Sequence, residues 1–214
     1  MALAGFLASP GLAAAQTPAV GATAEMHTAS GESLATATFR QAATEVLISI
    51  TFRNRTALVG THALHIHSIG RCDPPSFDSA GGIFNPFGKQ HGLANPDGPM
   101  AGDLASLAIA RAGVGVYNLS APLVTLATGS NSLLGSTGTS LVVFAQPDDD
   151  QSQPEGNAGQ RVACGVIQAA GANAAAALLR PEGSRPDLLS ALLILLIGGL
   201  LMVGGVMLRR RSDA

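Results

Sequence analysis

Gly60-Thr61-His62-Ala63-Leu64-His65-Ile66-His67 opens the segment on which the reading of this chain turns, 60–103, which holds four of the five histidines and the first of two cysteines. Successive side chains of a strand point to opposite faces. His65 and His67, two residues apart, therefore face the same way and can share one metal ion, while His62 is out of phase with them. The segment continues through Cys72 and a run of Pro, Ser, Asp and Gly to Gly82-Ile83-Phe84-Asn85-Pro86, Lys89-Gln90-His91-Gly92 and Met100-Ala101-Gly102-Asp103-Leu104. A His-x-His strand pair followed by a further His and an Asp is a metal-site pattern.

Outward from this segment the chain reads as short strands. Thr23-Ala24-Glu25-Met26-His27-Thr28, Leu34-Ala35-Thr36-Ala37-Thr38-Phe39 and Val46-Leu47-Ile48-Ser49-Ile50-Thr51-Phe52 alternate apolar and polar residues, with a Ser-Gly turn between the first two. Regular spacing with turn signals predicts an all-β sandwich or barrel. Later strands are expected at 107–110, 114–119 and 141–145, with the Gly/Ser/Thr-rich stretch 129–139 as a surface loop. His27, in the first strand and far in sequence from the others, reads as a surface or hydrogen-bonded histidine.

These residues resemble the copper/zinc superoxide dismutases. The run 60–67 resembles that family's G-x-H-G-F-H-x-H strand, and Phe84-Asn85-Pro86 with His91-Gly92 resembles its F-N-P-x4-H-G loop. Gly102-Asp103-Leu104 is similar to its G-D-L, and Asp148-Asp149 to the paired acids of the following loop. Gly156-Asn157-Ala158-Gly159-Gln160-Arg161-Val162-Ala163-Cys164-Gly165-Val166-Ile167 is similar to its terminal G-N-A-G-x-R-x-A-C-G-V-I strand. The resemblance runs from about 22 to 169 in the family's order and implies an eight-stranded Greek-key β-barrel.

The departures fall on the metal ligands. Ile83 stands where the family has the histidine bridging copper and zinc, Met100 where it has a zinc histidine, and Phe144 where it has the remaining copper histidine. Carried over residue by residue, His65 and His67 survive as copper ligands, and His91 and Asp103 as zinc ligands. Arg161 matches the arginine that attracts the superoxide anion, as a guanidinium suits a small anion; a loop-bracing arginine is its other reading. Met100 is a candidate Cu(I) ligand through its thioether and, on the other reading, a gap-filling side chain. Asp73, Asp78 and Asp97 are the carboxylates open to replacing a lost ligand.

Cys72 and Cys164 are the only cysteines, and an even pair in an exported chain suggests one disulfide, against two buried free thiols in a reducing compartment. They match the two positions that the family joins, a bond that ties the metal loop to the barrel wall.

In the family, copper takes an electron from one superoxide and returns it to another, and the bridging histidine relays a proton. Two imidazoles are a short donor set for a copper that changes oxidation state, and Ile83 relays no proton. Two functions stay open: a family domain that binds copper only in part and whose dismutase activity is weak or lost, and an active dismutase working at a reduced copper site. Zinc is expected to bind weakly or not at all.

The ends of the chain set its surroundings. Charged residues make up 12% of the 214 residues, about half the usual share, which points to a membrane segment. A net charge of -2, with no basic patch among aromatics, removes nucleic acid from the partners. Residues 1–15 are apolar and end in Ala13-Ala14-Ala15 before Gln16, a small-x-small cleavage pattern, and read as the remnant of a signal peptide. No charged residue occurs in 188–208, and 21 residues of helix extend about 31 Å, the depth of a bilayer core. Arg209-Arg210-Arg211 follow directly and put that end on the cytoplasmic side. The organisation expected is thus a signal remnant at 1–15, a β-barrel domain at 16–169, a linker at 170–187, a single transmembrane helix at 188–208 and a cytoplasmic tail at 209–214. The domain would stand on the extracytoplasmic side of a cell membrane, or of a surface from which the span is cleaved as a sorting signal.

Overall fold

A computed structural model describes residues 21–53, 58–111 and 115–171. The expected signal remnant, membrane span and tail, and the linker beyond residue 171, lie outside the described residues, and so does Val114. Among the described residues no helix is long and apolar enough to cross a membrane.

The described part is all-β. Nine strands follow in order: β1 (Gly21–Thr28), β2 (Ser33–Gln41), β3 (Val46–Phe52), β4 (Gly60–His62), β5 (Leu64–His67), β6 (Leu107–Ile109), β7 (Val116–Ala121), β8 (Thr139–Phe144) and β9 (Arg161–Ala169). Seven of them form one sheet in the order β5-β8-β9-β1-β2-β3-β7, and β4 and β6 form a two-stranded ladder. Every strand pairing is antiparallel. The stretch 60–67, expected as one strand, is split at Ala63, whose backbone N–H donates to Gln146 O and whose carbonyl accepts from Phe144 N–H.

Period-2 alternation builds the core. Ala22, Ala24 and Met26 of β1, Ala37 and Phe39 of β2, and Val46, Ile48 and Ile50 of β3 are buried on one face, while Glu25, His27 and Thr51 between them are exposed. His27 is thus at the surface, as its isolated position suggests. On β5 and β8 the alternation disappears because all ten residues are buried. Leu64, Ile66, Leu141 and Val143 enter the main core, whereas Val142 and Phe144 join a second apolar cluster with Ala63, Phe77, Ala80, Ala158 and Cys164. The second cluster exists because segment 68–103 covers the outer face of these strands. Strands covered on both sides lose their polar face.

Two fixings hold that segment down. Cys72 and Cys164 are joined, Cα to Cα 5.6 Å, so the loop is tied to β9 by the expected disulfide. Gly102 meets β5 at backbone distance: Ile66 N–H donates to Gly102 O at 2.9 Å, and a Cβ at 102 would collide with Ile66 O. Only glycine allows that approach.

Candidate metal centre

His65 and His67 leave β5 on its outer face, opposite Val142 and Ser140 of β8, and both are fully buried. Their ring centroids lie 6.4 Å apart. Each ring has one nitrogen engaged and one bare. His65 Nε2–H donates to Asp148 Oδ2 at 2.6 Å, and His67 Nδ1–H donates to Gly81 O at 2.8 Å. A carboxylate and a carbonyl can only accept, so these bonds fix the protons on those atoms. His65 Nδ1 and His67 Nε2 are left buried and without a protein hydrogen-bond partner. Burial holds the His67 imidazole neutral, with its pKa brought down to about 3, aided by the positive charge of Arg161 and opposed by the Gly81 bond.

His62, out of phase with His65 and His67 on the chain, shows the same division of its ring nitrogens. Its Nδ1–H donates to Phe144 O at 2.8 Å and its Nε2 is bare and buried.

His91 and Asp103 form the second half of the centre. His91 Nδ1–H donates to Asp103 Oδ1 at 2.8 Å and His91 Nε2–H to Asp148 Oδ1 at 3.1 Å, so both ring nitrogens face carboxylates. Burial pulls the His91 pKa down, but the bond and charge of Asp103, together with those of Asp148, outweigh it and lift the value to about 9. The ring is an imidazolium at neutral pH, with no lone pair free. The second oxygen of Asp103 accepts from the backbone N–H groups of Gly92 at 2.8 Å and Met100 at 2.9 Å.

Asp148 joins the halves, a role that its place in the Asp148-Asp149 pair does not reveal. Burial tends to raise its carboxyl; the His65 bond, the Asp150 backbone N–H and the charges of His65 and His91 bring it down to about 2. Gly156 makes room for it, with φ 62°, and a Cβ there would collide with Asp148 Oδ1. Asp73, Asp78 and Asp97 are exposed and lie outside the cluster. His65, His91 and Asp103 each bring one donor atom within 4.8 Å of the others. In hydrogen bonding, His65 thus goes with the remnant zinc residues, through Asp148, and His67 stands apart.

Two of the replaced positions are filled by buried apolar side chains. Phe144, fully buried, stacks on His67 with centroids 5.8 Å apart and planes 27° from parallel, and lies 5.1 Å from the His65 ring. Ile83 is 7% exposed and bridges to His67 through the backbone. Arg161 Nη1–H donates to Phe77 O at 3.0 Å, and Nη2–H to Gly81 O at 2.9 Å and to Glu155 Oε1 at 2.6 Å. Gly81 O therefore serves both His67 and Arg161.

Comparison with known proteins bears on the family and the fold. Residues 34–167 match the family model described as copper/zinc superoxide dismutase. The chain is 51% identical over 107 residues to superoxide dismutase [Cu-Zn] 1 of Aquifex aeolicus (strain VF5), a match covering 50% of this chain and 63% of that protein. It thus spans less than two thirds of that relative. With the superoxide dismutase [Cu-Zn] of Caulobacter vibrioides it shares 40% identity over 150 residues, covering 69% of this chain and 85% of that one. The crystal structure of a SOD-like protein from Bacillus subtilis superposes with a TM-score of 0.63 at 29% identity, covering 70% of this chain and all of that one.

Proposed function

This chain belongs to the copper/zinc superoxide dismutase family, and on that premise we propose that it is a membrane-anchored, extracytoplasmic member that retains copper binding in part and dismutes superoxide slowly or not at all. The observation that carries the reading is the pair of bare, buried nitrogens, His65 Nδ1 and His67 Nε2. Buried polar atoms without partners call for an explanation, and two imidazoles on one strand face, each with its other nitrogen already engaged, fit a copper ion. Bound copper would supply a one-electron couple.

The chain's own residues divide the remaining work. Asp148 and Gly81 O hold the protons of His65 and His67 on the nitrogens turned away from the proposed ligand atoms. Burial keeps His67 neutral, so it need not lose a proton to bind. Phe144 excludes water beside both rings and offers no nitrogen, and Ile83 can neither ligate nor pass a proton. The seven-stranded sheet and the β4–β6 ladder are the scaffold.

Zinc does not fit what is left of its site. In the metal-free chain His91 is held protonated between two carboxylates and Asp103 by that proton and two backbone N–H groups, so a zinc ion would have to displace the proton. Structural zinc takes four ligands, and Ile83 and Met100 add no imidazole.

The experiment is a titration of the chain with Cu(I) and Cu(II), beside the double variant His65→Ala, His67→Ala, followed by a dismutase assay of the loaded protein. One copper bound, lost in the double variant, with dismutation far below that of the family's complete sites is the expected result. Equal binding by the variant would remove the site, and rapid dismutation would favour the active enzyme.

A further inference from the structure

Arg161 begins β9 with its side chain 13% exposed, and the three oxygens it binds leave it little freedom. Two are carbonyls of the covering segment, which brace it. The third is the carboxylate of Glu155, six residues earlier, at 2.6 Å and 24% exposed. The Phe144 ring lies under the guanidinium, Cζ 5.9 Å from its centroid, so one face is closed. On the open side a cavity of about 420 Å³ is lined by Asp78, Glu155, Gln160 and Arg161 among others. Two carboxylates share that cavity with a single guanidinium.

An arginine presents its fork to an anion through short, charge-assisted hydrogen bonds. Glu155 already makes such a bond. A group tethered by a short stretch of chain acts at an effective concentration on the order of millimolar, which a dilute free anion does not match. We propose that Glu155 is the specificity-determining residue of this site: its carboxylate fills, from within the chain, the position at which a small free anion would meet Arg161. Small monovalent oxyanions are thereby excluded, and removing the Glu155 charge opens a site for them. The inference rests on reading Arg161 as the anion-facing residue.

Formate, the free counterpart of the glutamate head group, is the probe. The full chain in detergent micelles is labelled with ¹⁵N and titrated at constant ionic strength while the Arg161 side-chain resonance is followed. Glu155→Gln, which keeps the size and removes the charge, should bind formate about tenfold more tightly or better than the parent. The ring N–H signals of His91 report an unchanged fold. A purely bracing Glu155 produces no gain of binding, and equal affinity in parent and Glu155→Gln overturns the proposal while leaving Arg161 as an anion residue. Should Glu155→Gln, Arg161→Gln bind as tightly as Glu155→Gln alone, the anion sits elsewhere, and the reading of Arg161 itself falls.

Discussion

His65 Nε2 and Asp148 Oδ2 lie 2.6 Å apart with both side chains almost fully buried, 0% and 2% exposed, so a copper-position histidine and a loop carboxylate form a closed pair. Asp148 also receives His91 through its other oxygen. Two rings from different parts of the chain are thus held by one carboxylate, and that relationship decides what the centre can bind.

Asp148→Ala should release both rings at once. Removing one partner of a buried charge pair costs about 3–5 kcal/mol, and the His91 titration should move down from about 9, since Asp148 supplies part of its support. Urea unfolding and NMR titration of the His91 ring measure the two effects. An unmoved His91 midpoint would contradict the assigned bond.

Phe144→His places a third imidazole beside His65 and His67, whose rings lie 5.1 and 5.8 Å from the present phenyl ring. Copper affinity should rise by about tenfold or more. Stability should fall by about 1–3 kcal/mol, because a polar ring enters the apolar cluster of Phe77, Ala158 and Cys164. Competition against a coloured Cu(I) chelator, with urea melts of the metal-free protein, tests both.

Acid and alkali should each loosen the metal-free domain. The folded pKa of His91 is raised from 6.5 to about 9, so its contribution is complete below 6.5 and is lost as pH climbs through 9. That of His67 is lowered from 6.5 to about 3, so its contribution is complete above 6.5 and is lost as pH falls through 3. Asp148, lowered from 3.8 to about 2, adds to the acid side. Stability by chemical denaturation should therefore peak near pH 6.5; a monotonic profile between pH 4 and 9 would contradict the two histidine assignments.

The Cys72–Cys164 bond closes a loop of sequence separation 92. On the chain-entropy model, Cys72→Ser with Cys164→Ser should lower stability by about 4–5 kcal/mol. Because the loop also presents Gly81 O to His67 and Arg161, the variant should bind copper less tightly than the parent. Unchanged affinity would show that the loop keeps its place without the bond.

Anchoring through 188–208 predicts that the chain sediments with membranes, resists extraction by carbonate and is released by detergent. Protease added outside intact, wall-stripped cells should digest the β domain. Protection of the domain would reverse the orientation inferred from Arg209, Arg210 and Arg211.

Local order along the chain is enough for the strands and the family. Alternation marks β1, β2 and β3, and the residues around His65, Asp103 and Arg161 stand in the family's succession. It also determined that His65 and His67 share a face, since two residues along a strand restore the same side, and that Cys72 and Cys164 were the available pair. Tertiary structure alone decided the partners. Asp148 is 83 residues from His65 and 57 from His91, and no periodicity relates positions so far apart; only the pairing of β5 with β8 and the folding of 68–103 over them brings the three together. For the same reason Glu155 could not be read as the partner of Arg161. The turn that separates them is short, but its conformation is set by the packing of Gly156 against Asp148, which is a property of the folded chain.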